Sequence, residues 1–262
     1  MGNTSITWTE KVWNPTVGCK EVSAGCDHCY AKVIAERWRG GKAFPNGFDL
    51  TLHPERLQQP HSWKKPQMVF VNSMSDLFHK DIPADFLRQV WDVMEATPRH
   101  TYQILTKRPE RMRHMVKPLP VLPNVWLGTS IESEKHTDRL ASLLSTPAAI
   151  RFVSAEPLLD NWVDSLPKWT PWNEPLGNHL QWVILGGESG AGARPCDLGW
   201  IRAGLAAVRA VGAAPFVKQL GTCWARAAGA KDYKGEDPAE WPEDLRVREY
   251  PTPCTALEVS RG

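Results

Sequence analysis

The chain has 262 residues, of which 42% are hydrophobic and 23% charged, and its formal net charge at pH 7 is +2. This composition is typical of a globular protein and excludes a disordered, fibrous or strongly polycationic chain. No apolar run approaches the roughly 18 residues of a membrane-spanning helix, and Met1–Glu10 has no apolar signal segment. We therefore expect a cytoplasmic protein that makes no contact with membranes.

Short apolar segments recur along the chain and predict seven strands. They are continuous rather than alternating in polarity, which is typical of strands buried on both faces. The predicted strands are Ile6–Thr9, Met68–Asn72, Tyr102–Thr106, Val125–Thr129, Ile150–Ser154, Trp182–Gly186 and Pro215–Lys218. Helical periodicity and capping residues indicate helices near residues 31–38, 86–94, 134–145 and 198–211.

Strands that alternate with helices predict an α/β protein with a parallel sheet, either doubly wound or closed into a barrel. Polar residues follow six of the strands, and a barrel collects such residues around one mouth, whereas a doubly wound sheet concentrates them at one switch point. We therefore expect a parallel (β/α) barrel, partial or complete, of six to eight strands over residues 1–221. Stretches rich in Pro, Gly and Trp predict loop insertions at about 39–66 and 160–181, and residues 222–262 a C-terminal cap packed on the barrel.

A loop after the first predicted strand carries three cysteines, Cys19, Cys26 and Cys29, in a C-x6-C-x2-C pattern. Three thiolates on one loop can hold three irons of a [4Fe–4S] cluster and leave the fourth iron open for a substrate or cofactor. Zinc with His28 or a distant cysteine as fourth ligand, or thiols without metal, are the alternatives. The other cysteines, which have no assigned role, are Cys196, Cys223 and Cys254.

A three-cysteine loop after the first strand of a parallel barrel resembles the radical S-adenosylmethionine (radical SAM) superfamily. Five blocks more narrowly resemble the phage-associated three-Cys-motif family, which long carried a domain-of-unknown-function label, and they cover a match from about residue 5 to 221. The blocks are Trp8–Tyr30, Asn72–His79, Leu105–Pro109, Ser154–Leu158 and Gly186–Gly190. The resemblance implies a radical-SAM-like barrel and a [4Fe–4S] cluster on the three loop cysteines. It also implies reductive cleavage of SAM to a 5′-deoxyadenosyl radical that abstracts hydrogen from an unspecified substrate.

The Gly-Gly-Glu sequence that follows strand two in radical SAM proteins, where it receives the SAM amino group, follows strand six in this chain. We therefore assign SAM contacts to both strand ends and to charged residues at three further strand ends, for which a salt bridge inside the mouth is the alternative role. The assigned residues are Ser73, Ser75, Asp76, Lys107, Glu156, Gly186, Gly187, Glu188 and Lys218. No catalytic side chain is identified.

The run from Lys107 to His114 contains four Arg or Lys residues within seven positions. Basic residues near exposed tryptophans can grip a nucleic-acid backbone and stack bases, although a solvated helix face is an equal alternative. We expect a radical SAM enzyme that modifies or repairs a nucleic acid or nucleotide, served by an electron donor and by a three-Cys-motif partner protein. The alternatives are a zinc-stabilised binding module and a metal-dependent barrel hydrolase or nuclease that uses Asp76, Glu132, Glu156 and Glu188.

Overall fold

The computed structural model describes residues 4–166 and 179–252. Its strands, in chain order, are β1 (Lys11–Trp13), β2 (Thr16–Val17), β3 (Thr51–Leu52), β4 (Met68–Val71), β5 (Thr101–Thr106), β6 (Val125–Ser130), β7 (Ile150–Ala155), β8 (Trp182–Gly186) and β9 (Ala214–Gln219). β2 and β3 form an antiparallel pair, and the other seven form one parallel sheet in the order β1-β4-β5-β6-β7-β8-β9. Because neighbours in this sheet are parallel and sequential, all their carboxyl ends lie along one rim.

The sheet curls into a half-barrel, as the contacts of Trp8 show. The Trp8 ring lies 4.7 Å from the ring of Phe70 in β4 and 6.1 Å from that of Trp182 in β8. Three strands separate β4 from β8, so in a flat sheet these strands would lie about 19 Å apart at a spacing of about 4.8 Å. Only a strongly curved sheet lets one indole contact both, and the predicted partial parallel barrel is confirmed.

Six of the seven predicted strands are present within one or two residues of their expected ends, but the first is wrong. Residues 6–9 turn instead of forming a strand, and β1 begins at Lys11, where it pairs with β4 in parallel. The apolar character of Ile6–Thr9 has another cause. Trp8 is 2% exposed because it fills the interior of the half-barrel.

The helices are α1 (Tyr30–Arg37), α2 (Ala84–Ala96), α3 (Pro109–Val116), α4 (Asp138–Leu144), α5 (Leu198–Ala210) and α6 (Thr222–Ala228). The long helices α2 and α5 bury apolar faces against one side of the sheet, where alternate strand residues such as Val69 and Val71 point outward. The helix predicted at 134–145 is shorter, because a 3-10 turn over Glu134–His136 precedes α4. No helix among the described residues has the length and apolarity that crossing a bilayer requires.

The chain after α6 returns along the edge strand β9. The Val217 amide donates to the Val247 carbonyl at 2.7 Å, and the Glu249 amide donates to the Pro215 carbonyl at 2.9 Å. Tyr250 then stacks on the Trp182 ring at 5.5 Å. Residues 222–252 thus contact the barrel, while the rest of the predicted cap and residues 167–178 of the second predicted insertion lie outside the described residues.

Candidate functional site

The three-cysteine loop, residues 19–29, lies across the rim formed by the carboxyl ends of the strands. One cavity of about 150 Å³ is lined by all three cysteines, and a second of about 240 Å³ is lined by Cys29 and the far strand ends. The two share Cys29, Tyr30, Lys107 and Ser130 among their lining residues, so we treat them as one mouth cavity. The cavity's apolar wall includes Trp8 and Phe70.

Ten of the twelve residues assigned to the cofactors line the mouth cavity. They are Cys19, Cys26, Cys29, Ser73, Ser75, Asp76, Lys107, Glu156, Glu188 and Lys218. The residues that line the cavity in the described chain do not include Gly186 or Gly187. A Cβ at Gly187 would lie 2.4 Å from the Leu220 carbonyl oxygen, so packing against the end of β9 requires this glycine.

Asp76, which follows β4, is buried, and its carboxylate is hydrogen-bonded to groups of the protein itself. It accepts hydrogen bonds from the Phe78 amide at 2.9 Å, the Thr106 hydroxyl at 2.7 Å and Arg108 Nη1 at 2.8 Å. Arg108 in turn donates to the Lys20 carbonyl at 2.9 Å, which fastens the start of the cysteine loop to the end of β5. Asp76 therefore acts on the loop through Arg108.

Arg108 also donates a hydrogen bond to the first thiol of the loop, since its Nη1 lies 3.6 Å from Cys19 Sγ. Burial and the charge of Asp76 raise the pKa of the Cys19 thiol, while Arg108 opposes them in part. A metal ligand must lose its proton, so the Arg108 guanidinium favours the ligating form of Cys19.

Glu132, after β6, fastens the middle of the loop. Its Oε1 accepts the Gly25 amide at 3.3 Å, and its Oε2 accepts Arg139 at 3.0 Å. A Cβ at Gly25 would lie 3.1 Å from the Glu132 carboxylate, so the loop approaches this closely only with a glycine. Burial alone would raise the pKa of the Glu132 carboxyl, but the positive charges of Lys107 and Arg139 help to hold it below its usual value.

Glu188, after β8, fastens the far side of the loop through Arg194. Its carboxylate accepts Arg194 Nε at 2.9 Å, Arg194 Nη2 at 2.7 Å and the Arg194 amide at 2.7 Å, and His28 Nδ1 lies 3.2 Å away. Arg194 Nη2 also donates to the Ala24 carbonyl at 2.9 Å, and Nη1 lies 3.2 Å from Asp27. Burial alone would raise the pKa of Glu188, but the hydrogen bonds from Arg194 and His28 hold it below its usual value.

Arg108, Glu132 and Arg194 are thus three loop anchors, each attached to a different strand end. Sequence reasoning missed Arg194 because it lies in an irregular segment 170 residues from Ala24, with no local pattern that relates the two. Asp76 and Glu188 were expected to face SAM. Both line the mouth cavity, so this stays a prediction, and each carboxylate also bonds to an arginine that anchors the loop.

The two lysines assigned to SAM binding differ in whether the ammonium group has a partner within the protein. Lys218 Nζ pairs with Glu156 inside the second cavity. Lys107 Nζ has no hydrogen-bond or ion-pair partner within residues 4–166 and 179–252, and Lys107 lines both cavities. Of the two assigned lysines, Lys107 is therefore the one whose ammonium is available to an anionic ligand in the mouth.

The three loop cysteines at the mouth are donors of the kind that both zinc and iron–sulfur clusters take. A tetrahedral zinc ion with Zn–S bonds of about 2.3 Å draws its thiolates to within about 4 Å of one another. Among the described residues, no three His, Cys, Asp or Glu side chains come close enough to hold one ion. A [4Fe–4S] cluster with one open iron takes three thiolates, each on a different iron, and three thiols of one loop line this cavity.

The four carboxylates of the hydrolase alternative are likewise separated by their own cations. Asp76 pairs with Arg108, Glu132 with Arg139, Glu156 with Lys218 and Glu188 with Arg194. A two-metal hydrolase needs carboxylates that converge on shared ions. This arrangement disfavours that chemistry.

The scattered cysteines differ from the loop cysteines. Burial and the charge of Asp197 raise the pKa of Cys196 to about 12. The Cys223 thiol donates to the Ala193 carbonyl at 3.0 Å. Cys254 lies outside the described residues, and neither of the other two lines the mouth cavity as described.

Two solved structures of spore photoproduct lyase resemble the chain at 10% sequence identity. One, complexed with dinucleoside spore photoproduct, has a TM-score of 0.46 over 74% of this chain and 59% of that chain. The other, a double mutant with bound AdoMet and dinucleoside spore photoproduct, has a TM-score of 0.45 over 76% of this chain and 60% of that chain. The chain thus spans about 60% of the length of these proteins.

Comparison with the curated proteins finds no match. One family model, by contrast, matches residues 3–245, which include the half-barrel, the cysteine loop and the three anchors. The chain therefore belongs to the family described as Protein of unknown function (DUF5131).

Proposed function

We propose that this protein is a radical SAM enzyme that binds a [4Fe–4S] cluster through Cys19, Cys26 and Cys29 and binds SAM in the mouth cavity. One observation carries the proposal: three thiols of a single anchored loop line a cavity at the carboxyl ends of a parallel half-barrel. When bound, the cluster and SAM supply one-electron cleavage of the sulfonium to a 5′-deoxyadenosyl radical, which abstracts hydrogen from the substrate.

The side chains of the mouth bind and orient the ligands. Lys107 offers a free ammonium to the SAM carboxylate or a substrate phosphate. Glu156, held by Lys218, offers carboxylate oxygens to ribose hydroxyls or the SAM ammonium. Trp8 and Phe70 exclude water from one wall, which protects a reactive intermediate from side reactions.

Ser73 and Ser75, which were assigned to SAM binding, form hydrogen bonds with neighbouring residues of the protein. The Ser75 hydroxyl lies 2.7 Å from the Thr16 hydroxyl, and the Ser73 hydroxyl bonds to Asn14. The Ser73 carbonyl accepts the Tyr30 hydroxyl at 2.7 Å, which ties the start of α1 to the end of β4. Both serines therefore shape the wall behind the cysteine loop.

We propose a nucleic acid or nucleotide as the substrate, and within the basic run Lys107 is the residue that lines both parts of the mouth cavity. A cleft of about 330 Å³ between α3 and α4 adjoins the mouth, and its charged lining residues are Lys107, Arg108, Arg111 and Arg139 together with the acids Glu110 and Asp138. Arg108 and Arg139 are in ion pairs, and Arg111 donates to the Ile82 carbonyl at 3.0 Å. Lys107 lines both the mouth cavity and this cleft, so its ammonium can receive a phosphate from either side.

The test of the proposed function is anaerobic reconstitution with iron and sulfide, followed by reduction with dithionite in the presence of SAM. We expect the parent protein to release 5′-deoxyadenosine, at a rate that oligonucleotides or nucleotides increase. Cys26→Ala, with its loop anchors intact, is the inactive control. Intact cluster and SAM with no 5′-deoxyadenosine would contradict the proposal.

Replacing Lys107 by glutamine is expected to weaken binding of a single-stranded oligonucleotide and to flatten its salt dependence. Loss of one phosphate contact reduces the slope of log K against log salt by about 0.7. Lys117→Gln, at the exposed far end of α3, is the matched control and should keep the parent slope. If the Lys107 variant keeps the parent slope of log K against log salt, or loses only SAM affinity, Lys107 does not bind a phosphate of the oligonucleotide.

A further inference from the structure

Helix α1 places its large apolar side chains on the outside. Only Ala31 and Ala35 are buried, whereas Tyr30 is 53% exposed, Val33 67%, Ile34 40% and the following residue Trp38 63%. A surface helix of a globular protein normally buries its large apolar residues and exposes its polar ones. The reversed pattern marks a surface that is made to be covered.

The four exposed residues form one continuous stripe, which we call the α1 face (Tyr30, Val33, Ile34 and Trp38). Residues three and four apart are neighbours on a helix surface, and these positions are separated by such steps. The charged residues Lys32 and Glu36 occupy another side of the helix, where they pair with Glu21 and Arg39 respectively.

Free charge around the α1 face is positive. Lys20, Arg37 and Lys42 are exposed and have no ion-pair partner in the described parts of the chain. Each nearby acid has a cationic partner: Glu21 pairs with Lys32, Glu36 and Asp49 share Arg39, and Asp27 shares Arg194 with Glu188. An apolar stripe with a basic rim is complementary to an acidic protein that has an apolar patch of its own.

The α1 face begins beside the proposed cluster. Cys29 is the N-cap of α1, and the first residue of the face, Tyr30, lines both parts of the mouth cavity. A protein docked on this face would contact the segment that carries a cluster ligand. Such a position suits a partner whose task is to deliver electrons there.

We infer that the α1 face is the docking surface for an acidic electron-carrier protein, an inference that rests on the proposed function. One electron passes from the carrier to the cluster, so that the carrier is oxidised and the cluster reduced by one equivalent, and no bond forms or breaks. Val33 and Ile34, between the two aromatic residues, favour a protein over a nucleic acid, because aliphatic side chains do not stack on bases. A second copy of the chain is disfavoured because a two-fold interface would bring Arg37 and its rim toward the same positive charges.

The experiment compares two routes of reduction in the full-length reconstituted protein. The probe is an acidic bacterial flavodoxin kept reduced by its reductase, and dithionite is the small-molecule reference. Val33→Asp and Trp38→Ser should each lower the rate of cluster bleaching by flavodoxin at least about tenfold and leave reduction by dithionite unchanged. Arg37→Glu should act in the same direction, and salt should slow the parent.

Val121→Asp, an exposed apolar residue away from α1, is the matched control and should behave as the parent. The proposal would be overturned if Val33→Asp and Trp38→Ser were reduced by flavodoxin at the parent rate. It would also be overturned if these variants instead lost a dimer or lost oligonucleotide binding. A parent that forms no dithionite-reducible cluster overturns the proposed function itself. A parent that dithionite reduces but flavodoxin does not overturns the docking surface alone.

Discussion

Replacing any one of Cys19, Cys26 or Cys29 by alanine is expected to abolish stable binding of the [4Fe–4S] cluster. Each thiolate holds a different iron, so a two-thiolate site leaves two irons without protein ligands and open to solvent. Cys196→Ala and Cys223→Ala should keep the parent iron content, because those thiols lie outside the mouth cavity and one of them has a pKa raised to about 12. Iron and sulfide analysis after anaerobic reconstitution measures the effect.

The expected pattern is parent-like content in the two control variants and less than one iron per chain in the three loop variants. A Cys26→Ala variant that retained four irons while Cys223→Ala lost them would show that the ligand set is wrong. Circular dichroism of each variant without metal separates loss of ligation from loss of fold.

Replacing Arg194 by glutamine is expected to release the far side of the cysteine loop. The substitution removes the side-chain hydrogen bonds to Glu188 and Ala24 and leaves a buried carboxylate without its main cation. Hydrogen bonds to charged groups contribute about 1.5–3 kcal/mol each to stability, and an unpaired buried charge adds a further cost. We therefore expect faster loss of iron to a chelator from Arg194→Gln than from the parent, by at least about tenfold.

Arg202→Gln is the matched control, because Arg202 makes an ion pair with Asp244 on the surface, away from the loop. Glu188→Gln should speed iron loss in the same way, since it removes the charge that orients Arg194. If Arg194→Gln and Glu188→Gln lost iron at the parent rate but bound SAM more weakly, the anchoring role would be contradicted. Glu188 would then be a residue that contacts SAM.

The half-barrel was predictable because its strands are buried on both faces. Val69 and Val71 face the helices and Phe70 faces the barrel interior, so the segment is apolar at every position. The same property misled the prediction at Ile6–Thr9, where Trp8 and Ile6 pack into the half-barrel interior without forming a strand. An apolar run in the sequence indicates that the segment is buried, but the segment is a strand only if its backbone pairs with another strand.

The position of the site was also predictable, since parallel strands deliver their following residues to one rim. The partners of its side chains within the protein were not predictable. Glu188, which the Gly-Gly-Glu sequence predicts as a SAM contact, lines the mouth cavity and also bonds Arg194. Whether a carboxylate faces a ligand or an internal cation depends on contacts between distant segments, such as Arg194 with Ala24, and these leave no local pattern in the sequence.

An iron held open for SAM is detected most directly by electron paramagnetic resonance of the dithionite-reduced, reconstituted protein with and without SAM. Three thiolate ligands leave one iron free to take an exogenous ligand. We expect the signal of a reduced [4Fe–4S] cluster, with g values that shift on addition of SAM and return when SAM is removed. A cluster signal that SAM leaves unchanged, or iron bound without any such signal, would contradict a radical SAM site.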